Sequence, residues 1–383
     1  MKILAIETSC DESAIAVLDC SGTIDAPRFD VLASLVLSQA NKHAEFGGVY
    51  PNLAKREHAQ NLVPILEQVL KDAGLFTKAQ SEISNDTRDE LKEILEREPE
   101  LFEQLWKFLQ IITRPDIDAI AVTNGPGLEP ALWVGVNLAR ALAAIWNIPV
   151  IPTNHMEGHI ISVLVEHDHV SNSKEINFPA LALLVSGGHT QLVRVNAWGN
   201  YEIIGETRDD AIGEAFDKVA RMLGLPYPGG PAISKYAQLA REANDEAQIK
   251  LPRPMIDSDD LDFSYSGLKT AVLYAVRENE LTEELVRTIA REFEDAAFDC
   301  IIAKTRKALD MLSVSDVIVG GGVIASSELR RRLAAIEGAT IHLPDMSLTG
   351  DNAVMIGAAA YINHIIGTSP ADTDLRANGN LRL

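Results

Sequence analysis

The stretch "NHMEGHI" at residues 154–160 sets two histidines four apart with a glutamate between them. In a helix, His155 and His159 share one face, within reach of a common metal ion. Thr153 or Asn154 can cap such a helix, which puts both rings in its first turns. A protease zinc helix needs its glutamate directly after the first histidine, where it serves as base. Glu157 comes two after His155 and turns to another face, leaving it a helix-surface or supporting role. A plain surface pair of histidines is the alternative. The strand and loop before the pair deliver it to a strand's carboxyl end, where α/β proteins place their sites, and this favours metal.

A third ligand must come from elsewhere. Asp351 in "TGDNAVMIGAAAY" precedes a helix rich in small residues, where an aspartate is by default an N-cap. A carboxylate with two imidazoles is also a standard set for iron or zinc. Spacing alone does not bring Asp351 to the histidines.

Three glycine-rich turns suit an anion. "VSGGHT" (185–190) follows a strand, "VIVGGGVIASSELRRRL" (317–333) runs from a strand into a helix capped by Ser326 or Ser327, and "YPGGP" (227–231) is a third tight turn. Backbone N–H groups and a helix N-terminus there suit phosphate. Together with "IETSCDES" (6–13) they favour a nucleotide cleft between two lobes. The chain has neither a Walker lysine motif nor Gly-x-Gly-x-x-Gly, so P-loop and Rossmann readings are poor. Asp11 and Glu12 fall in the first hairpin turn, where carboxylates can face metal, water or an incoming amine, or simply build the turn.

The elements that position these residues alternate strand and helix. "KILAIETS", "AIAVLD", "IDAIAVTNGPG" and "IPVIPT" read as strands and "ALWVGVNLARALAAIW" as a helix, which predicts a mostly parallel sheet covered by helices. "LALLVSGGHTQLVRVN" repeats the logic of "LAIETSCDESAIAVLD", so two similar lobes are expected, 1–170 and 171–383. The polar "EHDHVSNSKEINFP" (166–179) reads as their linker. Residues 76–115 are charged, with Leu91, Ile94, Leu95, Leu101, Leu105 and Phe108 at near-helical spacing, and read as an inserted surface helical pair.

Composition bounds the rest. A chain of 383 residues, 46% apolar, is globular and holds two full cores. Its apolar runs are too short for a bilayer, and its start turns polar too early for a signal peptide. Three scattered cysteines fit a reducing compartment, so a cytoplasmic, membrane-free protein is expected. A net charge of −21 argues against a general nucleic-acid binder and for work with partners. "LRRRL" (329–333) with Arg208, Lys218 and Arg221 could form a local basic patch, although helix-surface arginines are the simpler reading.

"IETSCDES", "NHMEGH", "LLVSGGHTQL", "GEAFDKVARMLGLPYPGGP", "FSYSGLK" and "DNAVMI", in that order, resemble the TsaD family of tRNA adenosine threonylcarbamoyltransferases, over nearly the whole chain apart from 76–115. The resemblance implies an α/β, two-lobed actin-like ATPase fold with duplicated lobes. It implies transfer of threonylcarbamoyl from threonylcarbamoyl-AMP to the exocyclic amine of the adenine next to the anticodon, in tRNAs reading codons that begin with A. It places one divalent metal, iron before zinc, on His155, His159 and Asp351. It places the adenylate turn at Leu184, Val185, Ser186, Gly187 and Gly188, with Asp217 and Gly230 as further contacts and Asp217 on a ribose hydroxyl. Glu12 or Asp11 would orient the amine or take its proton. The partners implied are tRNA, a TsaB-like paralogue and a TsaE-like ATPase, with the adenylate supplied by a TsaC-type enzyme. Two departures stand out: Ser326 in "GGVIAS" where relatives often have asparagine, and Glu129 and Pro130 in "GPGLEPALWVG" in place of smaller residues. The alternatives are an actin-fold small-molecule kinase or carbamoyltransferase, and a non-catalytic TsaB-like scaffold.

Overall fold

The computed structural model describes residues 1–79, 83–165, 175–245, 249–368 and 375–383. Its strands are β1 (Lys2–Glu7), β2 (Glu12–Thr23), β3 (Ala26–Ser38), β4 (Ala119–Gly125), β5 (Val150–Asn154), β6 (Ala180–Val185), β7 (Thr190–Ala197), β8 (Asn200–Glu206), β9 (Asp316–Gly320) and β10 (Thr340–His342). The helices are α1 (Ala40–Ala44), α2 (Pro51–Asp72), α3 (Asn85–Ile94), α4 (Pro99–Leu109), α5 (Glu129–Trp146), α6 (His155–Ile161), α7 (Ile212–Met222), α8 (Gly229–Ala243), α9 (Ser266–Glu278), α10 (Glu283–Leu312), α11 (Ser327–Ala334) and α12 (Ala353–Ile366).

Two five-stranded sheets repeat one plan. The first runs β3-β2-β1-β4-β5 and the second, read in the same sense, β8-β7-β6-β9-β10. In each, a meander of three antiparallel strands continues into two parallel ones. The duplication expected from the two opening motifs is therefore present, and the fold class is the actin-like α/β class. β1 and β6 read as unbroken apolar runs because helices cover both sheet faces. On β1, Leu4 and Ile6 join the core with α2 and α5. On the opposite face, a β-carbon on Gly357 of α12 would meet Ala5 at 3.2 Å, so that helix lies directly on the strand.

Contacts divide the chain into Met1–Gln39, Val49–Lys174 and Asp351–Leu383 as one unit, and Ala40–Gly48 with Glu175–Gly350 as the other. The expected boundary between 170 and 171, and most of the linker at 166–179, lie outside the described residues. The tail from Asp351 differs from the expected division: it belongs with the first unit, because α12 packs on the first sheet.

The 76–115 region forms two helices as its spacing predicts, with residues 80–82 outside the description. It is not a surface ornament. Leu91, Leu95, Leu101, Leu105 and Phe108 are buried in the core of the first unit. The buried Glu98 accepts from Asn137 of α5 at 2.9 Å and pairs with Lys55 of α2 at 3.1 Å. Glu129 and Pro130 also find an account here. They occupy the first turn of α5, where a proline's missing N–H costs nothing and an acidic side chain meets the positive end of the helix.

Candidate metal centre and nucleotide turns

Asn154 ends β5 and caps α6, its Oδ1 accepting from the N–H groups of Met156 and Glu157. The cap starts the helix at His155, so the two histidines stand one turn apart, ring centroids 4.7 Å apart and nearly perpendicular. The N-cap of α12 is Asn352, whose Oδ1 accepts from Met355 N–H. Asp351 stands one residue before that cap. Its Oδ1 lies 3.5 Å from His155 Nε2 and 3.2 Å from His159 Nε2. The three residues offer ligand atoms all within 4.8 Å of one another.

Glu157 is buried, not on the helix surface. Its Oε2 accepts from Asn363 Nδ2 of α12 at 2.7 Å. That bond, with Gly158 set against Met355 and Ile356 of α12, holds α6 and α12 side by side and so brings Asp351 to the histidines. The third ligand is thus delivered by long-range helix packing.

The donor set fits a divalent cation. Both ring nitrogens of His159 are buried and complete no hydrogen bond among the described residues, a costly state that a ligand at Nε2 relieves. Burial holds the His159 pKa below its ordinary value, despite contact with Asp351. At His155 burial also acts downward, but Asp351 and Glu7 outweigh it and lift the pKa to about 9. A cation held at Nε2 would take the place of the proton that faces Asp351, while Nδ1 stays against Glu7.

Asp11 and Glu12 sit where β1 turns into β2. Glu12 accepts from Ser38 Oγ at 3.3 Å. Burial, then the neighbouring Asp11 and the charge of Asp351, push its pKa well above the carboxylate range, which suits a group that holds a proton.

The second unit gathers the glycine turns at the carboxyl ends of β6 and β9, which pair side by side up to Leu184 and Gly320. Leu184 and Val185 are buried strand residues; Gly187 and Gly188 are exposed in the turn. The Ser186 N–H donates to His189 O at 2.8 Å, so it closes the hairpin and is not free for phosphate, contrary to the sequence expectation. Gly321 has φ +98°, and a β-carbon there would come within 2.3 Å of Val185 O. Asp217 accepts from Gly229 N–H at 2.7 Å, which fastens the start of α8 to α7. Gly230 has open space where a side chain would project. Of the two serines, Ser326 caps α11, its Oγ accepting from Leu329 N–H.

Most of the basic residues singled out in the sequence are engaged by carboxylates or carbonyls. Arg208 pairs with Asp260 and Asp262, and Lys218 with Asp210 and Glu214. Arg330 donates to the carbonyls of Ile324 and Pro344, while Arg331 and Arg332 pair with Glu328. Sequence reasoning missed Glu7, the buried carboxylate beside His155. Its signal was an acidic residue closing the otherwise apolar run "LAIE".

The family model described as TsaD: tRNA N6-adenosine threonylcarbamoyltransferase matches residues 30–84 and 92–358. This chain belongs to the TsaD family. Within the 76–115 region, residues 85–91 fall outside that match. Relatives named tRNA N6-adenosine threonylcarbamoyltransferase include one from Burkholderia ambifaria (strain MC40-6), 42% identical over 94% of this chain and 92% of its own. Another, from Burkholderia lata, is 42% identical over the same shares. The crystal structure of full-length HypF in the phosphate- and nucleotide-bound form matches at a TM-score of 0.52 and 12% identity. It covers 95% of this chain and 55% of HypF, a likeness of fold. Among the described residues no helix is long and apolar enough to cross a membrane.

Proposed function

We propose that this TsaD-family chain is a tRNA N6-adenosine threonylcarbamoyltransferase that moves threonylcarbamoyl from threonylcarbamoyl-AMP to the exocyclic amine of the adenine beside the anticodon. The tRNAs are those reading codons that begin with A, and the reaction belongs to the cytoplasm. The observation that carries the reading is the His155–His159–Asp351 cluster, a three-ligand set in a chain of this family.

The three side chains would hold one divalent cation, iron or zinc. When bound, such a cation supplies Lewis-acid polarisation of a carbonyl and an anchor for the threonylcarbamoyl oxygens. The chain's own residues do the rest. The turn at 184–188 cradles the adenylate phosphate. With the Ser186 amide committed to His189, that contact falls to Gly187 and Gly188. Asp217 faces a ribose hydroxyl, and Gly230 and Ser326 leave room for the nucleoside. The adenine, unstacked from its loop, presents its amine. The amine nitrogen forms a bond to the carbamoyl carbon, the carbon–oxygen bond to phosphate breaks, and AMP leaves with the electron pair. Glu12 or Asp11 orients the amine and takes its proton; Glu12 does so once ionised. A TsaB-like paralogue and a TsaE-like ATPase share the tRNA surface, which accommodates the net charge of −21, and a TsaC-type enzyme makes the adenylate.

The test mixes the chain with threonylcarbamoyl-AMP, a suitable tRNA transcript and its TsaB-like partner, then reads nucleosides by mass spectrometry. Threonylcarbamoyladenosine is expected with the wild type and absent with His155→Ala and Asp351→Ala, both still folded. Undiminished product with Asp351→Ala removes the metal from the reaction. No product from the wild type, with nucleotide still bound tightly, replaces the transferase with a small-molecule kinase or a scaffold.

A further inference from the structure

We propose that Glu7 is a positioning residue that fixes which ring nitrogen of His155 faces the metal; this rests on the reading of His155, His159 and Asp351 as ligands. Glu7 ends β1 and is fully buried. Its Oε1 accepts from the Ser9 N–H, and its Oε2 accepts from Thr123 Oγ1 and stands 3.1 Å from His155 Nδ1. The Ser9 N–H and Thr123 Oγ1 already donate to its two oxygens, so the carboxylate meets Nδ1 as an acceptor; Ser9 Oγ, 3.2 Å from the same nitrogen, can accept as well, and the imidazole carries its hydrogen on Nδ1. That leaves the Nε2 lone pair directed to the side of Asp351, 3.5 Å away.

The two ligand histidines differ in this respect. His159 Nδ1 has no partner among the described residues, so nothing outside the ligand set fixes its tautomer. His155 is preset by a carboxylate from β1, two strands away from β5 in the sheet. Buried carboxylates in this relation to a ligating imidazole hold its ring orientation and strengthen its donor nitrogen.

The isosteric change Glu7→Gln works against that tautomer and leaves Ser9 Oγ, 3.2 Å away, as the other partner of Nδ1. The Ser9 N–H is a backbone donor that cannot turn, so the glutamine must keep its carbonyl oxygen at the Oε1 position. Its NH2 group then points at His155 Nδ1 and donates to it. The ring hydrogen moves to Nε2 and blocks the nitrogen that faces Asp351. Thr123 can turn its hydroxyl to accept, so no buried group is orphaned.

The experiment measures Zn2+ affinity of the full chain by competition with a chelator, together with thermal stability. Glu7→Gln is expected to weaken zinc by roughly 10–100-fold. Thr123→Val disturbs the same buried network without touching the tautomer, and its affinity should stay within about threefold of wild type while its stability falls. Wild-type affinity in Glu7→Gln overturns the inference and leaves the ligand assignment standing. Zinc binding that is absent from the wild type, or unchanged in His155→Ala, overturns the ligand assignment and this inference with it. If Glu7→Gln does not fold, the wild type decides. In zinc-loaded protein carrying 15N-histidine, the His155 signals, identified by their loss in His155→Ala, must show the ring proton on Nδ1. A ring proton on Nε2 overturns the proposal.

Discussion

Asn363 donates a 2.7 Å hydrogen bond to Glu157, and through it α12 is held against α6. The two residues are 206 apart in sequence. Yet the bond fixes the distance between the element that carries both histidines and the one that Asp351 introduces.

Replacing Asn363 by leucine takes a donor from a buried carboxylate. The expected cost is about 1–3 kcal/mol of folding free energy, the desolvation penalty of a group that loses its partner. Urea denaturation measures the loss. Zinc affinity should fall as well, since Asp351 is no longer held in register with the histidines. A variant as stable as wild type would show that the bond carries no part of the helix pairing.

Leu105 tests whether α3 and α4 belong to the core. It is fully buried in the core of the first unit, on a helix that packs against α2. Leu105→Ala should destabilise by about 2–5 kcal/mol, by lost transfer energy and the cavity left behind. A dispensable surface pair would lose almost nothing, and the denaturation midpoint distinguishes the two.

The Ser326 hydroxyl caps α11. Serine and asparagine cap about equally well. Ser326→Asn should therefore leave stability within a few tenths of a kcal/mol, whereas Ser326→Ala should cost about 1 kcal/mol. Because the asparagine amide reaches farther, adenylate affinity measured calorimetrically should rise in Ser326→Asn and not in Ser326→Ala.

Glu328 gives a pH dependence with a definite sign. Arg331, then Arg332, outweigh its partial burial and hold its carboxyl down to about 2, from an ordinary value of 4.5. A depressed folded pKa contributes stability that is fully present above the unfolded value and is lost as pH falls through the folded one. Glu328→Gln should thus be less stable than wild type at neutral pH. The gap should close between about pH 4.5 and pH 2, as stability curves at several pH values will show.

The histidine pair was legible because a helix repeats locally, and four residues is one turn. The strand–turn–strand opening at 4–19 was legible for a similar reason: alternation and a polar turn are short-range signals, and their recurrence at 181–196 announced the second sheet. Asp351 was only a candidate, since its approach to the histidines depends on how α12 lies on α6. Residues seen as ligand contacts were partly claimed by the fold itself, as with the Ser186 amide closing a hairpin and Asp217 holding the start of α8. Arg208 looked basic in a list of letters and is paired with Asp260 and Asp262, more than fifty residues away. Tertiary pairing decides such cases, and a linear pattern does not record it.

The return of the chain to its first unit at Asp351 has a consequence for biosynthesis. A ribosome releases β1, α2 and both histidines early, but the carboxylate that completes their ligand set is translated only after all of the second unit. Nascent chains fold largely from the N-terminus onward. Throughout elongation the first sheet therefore waits with one face uncovered and its histidines two-thirds of a site. If the three residues hold a metal as proposed, its complete ligand set is available only after Asp351 has been translated.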